Sequence, residues 1–215
     1  MTETVAHYMP STARRVVAVV HGSPWPDGSK SVSEVVDYTW FLVEGWRSFA
    51  DEHDAAILAP PLGSPGFADY RGWRADNGVR PDVYLNEIVT QFVRSRSLGS
   101  VGDRLSLFGH SAGAQFVARY LVLHASRVTA AVISAASTFP VPDDAAPWPF
   151  GSKGAPQSAN WSSACGVRAT VCVGANDTEP RPSAPGQPGT TRIDRATAWV
   201  AAMRAHAVAS GVTPR

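Results

Sequence analysis

The chain has 215 residues, 44% of them apolar and 17% charged, with a formal net charge of +1. This length and apolar content suit one well-filled domain over residues 1–215 and argue against disorder. The near-zero charge offers no basic face, so neither nucleic acid nor an anionic membrane is an expected partner.

Apolar β-branched runs alternate with helical patterns along the chain. Residues 15–20, Arg-Val-Val-Ala-Val-Val, read as a buried central strand that ends at His21-Gly22. Residues 35–53 carry Val36, Trp40, Val43 and Phe49 at helical spacing and read as one helix, followed by a second strand over 55–59. A loop rich in Gly, Pro and aromatics covers 62–80. Pro81-Asp82 then opens a helix with Leu85, Ile88, Val89, Phe92 and Val93 on one face. A third strand is expected over 104–108, a helix over 112–124 and a fourth strand over 128–134. Residues 138–160 lack periodicity and read as a loop or small cap. A fifth strand over 168–174 precedes a final helix over 191–210, with Ile193, Trp199 and Met203 on its apolar side and Gly211 placed to cap it. The fold class is therefore α/β, a mostly parallel doubly wound sheet with helices on both faces.

Two cysteines make no disulfide framework, and Cys172, set in an apolar run, is expected to be a buried thiol. Residues 1–11 have no signal-peptide pattern, and no run approaches the roughly 20 apolar residues that span a bilayer. A cytoplasmic protein without membrane association is the expectation, and a mature secreted form with its signal removed would read the same. The sequence contains no dinucleotide fingerprint, phosphate loop or metal-ligand cluster, so no cofactor and no metal are expected.

The chemistry-bearing segment is Gly109-His110-Ser111-Ala112-Gly113, set directly between a strand and a helix. So sharp a strand-to-helix turn brings backbone close together, and glycines at 109 and 113 relieve the clash. Ser111 is thereby held strained, with its hydroxyl above the sheet edge and a helix N-terminus beneath it. An acyl-transfer serine also needs N–H donors for the developing oxyanion. Ala112 N–H is one, and Ser23 N–H, after the tight turn at Gly22, is the second; Pro24 has none to offer. His21 is expected to support that loop, and His110 to be a packing residue.

The order of strand, His21-Gly22-Ser23-Pro24, strand, Ser111 turn, strand and Gly174-Ala175-Asn176-Asp177 resembles the α/β-hydrolase superfamily. More narrowly, Phe108 to Phe116 with Arg119-Tyr120 resembles small esterases and polyester-depolymerase-like hydrolases. The resemblance implies Asp177 as the acid that holds a catalytic histidine, with Asp143 and Asp144 as fallback acids. It also implies a histidine after one further strand, and none follows the final helix. His206 shares a helix face with Trp199 and Met203 and is not expected to reach a loop at the sheet edge. His7, His53 and His124 read as surface positions. The chain is thus expected to lack the terminal strand and the base.

The implied activity is a serine hydrolase of small-molecule or polymeric carboxylic esters, working through an acyl-enzyme on Ser111 and impaired by the absent histidine. Amide, thioester or peptide hydrolysis on the same scaffold, or a truncated binding domain, are the alternatives. Trp25, Phe67, Tyr70, Trp73, Trp148 and Phe150 offer an apolar rim for substrate, or simply cover the core. Arg71 and Arg74 could meet a carboxylate or be solvated.

Overall fold

The computed structural model describes residues 5–23, 31–63, 67, 69–73, 78–98 and 104–214. In chain order the elements are β1 (Ala6–Tyr8), β2 (Arg15–Val20), α1 (Val32–Gly45), α2 (Arg47–Glu52), β3 (Ala55–Ala59), α3 (Pro81–Ser95), β4 (Leu105–His110), α4 (Ala112–His124), β5 (Val128–Ser134), α5 (Trp161–Cys165), β6 (Arg168–Cys172) and α6 (Arg192–Ala209). One six-stranded sheet has the order β1-β3-β2-β4-β5-β6. Every neighbouring pair is parallel except β1 with β3. This is the α/β-hydrolase fold, mostly parallel as expected.

The two faces are packed unequally. Val16, Ala18 and Val20 of β2 share one large core with Leu105 and Leu107 of β4, Phe116 and Leu121 of α4, and Trp199 and Met203 of α6. On the opposite face, Val17 and Val19 meet Ile57, Val43 of α1 and Ala50 of α2 in a smaller core. That smaller core lies over β1, β2 and β3, and Phe108 of β4 is half-buried at its border.

Several expectations need correction. The three-residue β1 has no readable run of its own, and pairing with β3 alone defines it. The helix expected over 35–53 is two helices, broken at Trp46 just after Gly45. Cys172 is exposed, and Cys165 is the buried thiol. β6 is the sheet edge, and its Arg168, Thr170 and Cys172 alternate outward while Ala169 and Val171 are half-buried against α6. No described helix is long and apolar enough to cross a membrane.

Candidate active site

β4 passes into α4 through a single residue, Ser111. Its backbone sits at φ 52° and ψ −111°, a conformation that an L-residue adopts only under local constraint. The constraint is visible on both sides. Ser111 N–H donates to the Ser134 carbonyl of β5 at 2.8 Å, and the Ser111 carbonyl accepts the first α4 bond from Gln115 N–H at 3.2 Å. A Cβ on Gly113 would strike the carbonyls of Val20 and His21, and one on Gly109 would strike the Gly113 carbonyl. These two glycines let β2, β4 and α4 meet at one point.

The loop after β2 rests against this turn. A Cβ added at Gly22 would lie 3.2 Å from Ser111 Cβ and 3.3 Å from the His110 carbonyl. Ser23 follows at an exposed position, and Ala112, 2% exposed, occupies the first helical position, whose N–H has no acceptor within the helix. His21 is buried, its Nδ1 bonded to the Gly22 carbonyl and its own carbonyl accepting from Tyr70 Oη at 2.7 Å. Burial lowers the His21 pKa against the opposing pull of the Gly22 and Leu62 backbone, which keeps the ring neutral and structural.

Asp177 lies just beyond β6, on the same carboxyl edge as Ser111, with β5 between their strands. Two strand spacings amount to about 10 Å, too wide for direct contact and suited to an intervening side chain. In this structure the Asp177 carboxylate accepts Arg192 Nη1 at 2.9 and 2.7 Å, with Arg181 at 3.7 Å. Asp143 and Asp144, the fallback acids, do local work: Asp143 accepts Ala145 N–H at 2.8 Å, and Asp144 accepts Ser152 Oγ and Trp161 Nε1.

Among the described histidines none is bonded to Ser111 or Asp177. His206 bonds Ser210 in the last turn of α6. It lies fourteen residues, about 21 Å of helix, beyond the Arg192 that grips Asp177. His7 touches Arg96, and His53 is exposed beside Phe49. Two readings change. His110 is exposed, not packed, with Nδ1 3.3 Å from Ser134 Oγ, because it alternates to the sparsely covered face of the sheet. His124 is not a surface residue: its Nε2 meets Asp82 Oδ2 at 2.8 Å, and that fully buried carboxylate also holds Arg80.

Of the aromatic rim, Phe67, Tyr70 and Trp73 are buried core residues, while Trp148 and Phe150 are half-buried and border a cavity. Trp25 and Arg74 lie outside the described residues. Arg119, part of the esterase-like resemblance but given no role in the sequence reading, is 2% exposed on α4 two turns beyond Ser111. An arginine in a mostly apolar helix was the available signal. Among the described residues no group of three His, Cys, Asp or Glu side chains gathers as a metal site.

Solved structures share this architecture. Poly(aspartic acid) hydrolase-1 from Sphingomonas sp. KT-1 superposes with a TM-score of 0.75 at 22% identity, over 98% of this chain and 83% of that one. A poly(3-hydroxybutyrate) depolymerase from Bordetella parapertussis gives 0.69 at 22% identity, over 98% and 74%. Neither a family model nor a curated protein sequence matches the chain.

Proposed function

We propose that the chain is a serine hydrolase of carboxylic esters, small or polymeric, with Ser111 as nucleophile. The observation that carries this reading is the strained Ser111 between β4 and α4 with the Gly22 loop pressed against it. Ser111 Oγ attacks the ester carbonyl, and its proton leaves to a base. Ala112 N–H and Ser23 N–H receive the resulting oxyanion, each such donor typically supplying about 3–4 kcal/mol in the transition state. The tetrahedral intermediate expels the alcohol, which takes up a proton, and water then frees the acid from Ser111. Asp177 is the acid that would orient the base, in competition with Arg192 for its carboxylate.

With no described histidine bonded to Ser111, proton removal is the slow step on these residues. The oxyanion hole and substrate binding alone sustain about 10³–10⁴-fold acceleration over water. The likeness to a hydrolase and a depolymerase fold supports the scaffold, and the turn supports the nucleophile. The test is covalent labelling by a fluorophosphonate, read by intact mass, beside turnover of p-nitrophenyl esters, anilides and thioesters. Labelling at Ser111, lost in Ser111→Ala, with slow ester turnover is expected. Unlabelled protein, or labelling that survives Ser111→Ala, overturns the proposal.

A further inference from the structure

A cavity of about 600 Å³ opens beside α4, beginning at Gln115. Gln115 is one helical turn, about 6 Å of rise, past Ser111. Arg119, one turn further, lines the same cavity. The guanidinium is almost fully buried, yet every described acceptor it meets is a neutral oxygen. Its Nε donates to the Pro149 carbonyl at 3.1 Å, Nη1 to the Arg71 carbonyl at 2.7 Å and Nη2 to Thr138 Oγ1 at 3.0 Å. Burial pulls the Arg119 pKa down to about 9. A buried cation without a hydrogen-bonded anion is costly, and a carboxylate placed beside it would relieve that cost.

Further donors stand in the same wall. Trp73 Nε1 and Trp148 Nε1 are buried donors with no acceptor among the described residues, and both residues line the cavity. Trp73 is only 5% exposed. Gln115 accepts Thr138 Oγ1 through Oε1 at 2.7 Å, which leaves its amide nitrogen as a further donor. The other charged lining groups are Arg71 and Asp69, paired with each other at 3.5 Å. Among the described residues the lining therefore holds two cations and one anion, and its uncommitted donors call for an acceptor.

We propose that this cavity is the subsite for a carboxylate carried by the substrate, so that the preferred ester bears an acidic group several bonds from the carbonyl attacked at Ser111. Arg119, Arg71 and the two indole N–H groups receive the carboxylate. This substrate class rests on the reading of Ser111 as an acyl-transfer nucleophile.

Two measurements test it separately. Tryptophan fluorescence is titrated with glutarate and with its uncharged dimethyl ester, in the full chain and in Ser111→Ala. Glutarate should bind both proteins at least tenfold more tightly than the diester, and this preference should fall at least tenfold in Arg119→Met. Arg71→Gln, at a half-exposed side chain, serves if Arg119→Met does not fold, and should weaken the preference severalfold. Labelling of Ser111 is then timed with a fluorophosphonate ending in a carboxylate and with an alkyl one of equal length. The ratio of rates should favour the carboxylate and fall in the same variants. Absence of glutarate binding, or a preference unmoved by both substitutions, overturns the subsite. Failure of both probes to label, with glutarate still bound, overturns the acyl-transfer reading and the substrate assignment while leaving the anion site standing.

Discussion

Replacing Asp82 by asparagine tests how the helix beneath Ser111 is anchored. Asp82, fully buried near the start of α3, accepts Arg80 Nε at 3.0 Å on Oδ1, and Arg80 Nη2 and His124 Nε2, both at 2.8 Å, on Oδ2. His124 is the last residue of α4, so this carboxylate ties α3 to the far end of the helix that Ser111 begins. Asparagine keeps one oxygen and turns an NH2 group toward two donors. The His124 bond is nearly dry and is worth about 2 kcal/mol, whereas the second Arg80 arm, partly exposed, adds about 1 kcal/mol or less after screening. A loss of about 3 kcal/mol corresponds to a melting temperature lower by about 6–12 °C for a domain of this size.

The pH dependence of that gap follows from the Asp82 pKa. Burial alone would raise it, but the hydrogen bonds from His124 and Arg80 outweigh burial and hold it below the usual aspartate value. A folded pKa below the unfolded one gives stability that is complete above about pH 4 and lost as pH falls through the folded value. Urea melts of wild type and Asp82→Asn at pH 7 and pH 3 should therefore show a gap that narrows in acid. A gap under 1 kcal/mol at pH 7, or one that widens at pH 3, would refute the reasoning.

Gly113→Ala should destabilise the chain by about 2 kcal/mol or more, because its methyl meets the Val20 and His21 carbonyls, which cannot rotate away; an unchanged melting curve contradicts this. Iodoacetamide should modify exposed Cys172 within minutes, while Cys165, buried and with its thiol pKa raised by that burial, should react only on unfolding. Peptide mass mapping decides it, and equal rates count against the edge position of β6. Trp199→Phe removes the buried bond from Nε1 to the Pro140 carbonyl at 2.6 Å and should cost about 1–2 kcal/mol in a chemical melt. Asp177→Asn should lower the melting temperature by a few degrees even in a Ser111→Ala background, since its ion pair with Arg192 is structural. Identical midpoints would show the pair to be energetically idle.

The parts that were legible are those whose causes lie within a few residues. The turn at Ser111 needs a strand, two glycines four apart and a helix, all contiguous, so its sterics are written in Gly109 to Gly113. The parallel sheet followed for the same reason, from apolar runs alternating with helical periods. The misread positions depend on distant partners. Pairing with β3 alone defines β1, and His124 meets Asp82 across forty-two positions of sequence. Cys172 looked buried because its neighbours are apolar, but alternation on an edge strand turns it outward.

Sequence by itself determined that a serine would stand strained at the carboxyl edge of a parallel sheet, because backbone sterics over five residues allow little else. Only tertiary structure decided the chemistry around it. The donor-rich cavity draws Arg71, Arg119, Thr138 and Trp148 from four separate segments, and the cost of burying the Arg119 charge exists only once they close around it. Local sterics act through covalent neighbours and are readable in order, whereas desolvation and electrostatics act through space and belong to the folded chain.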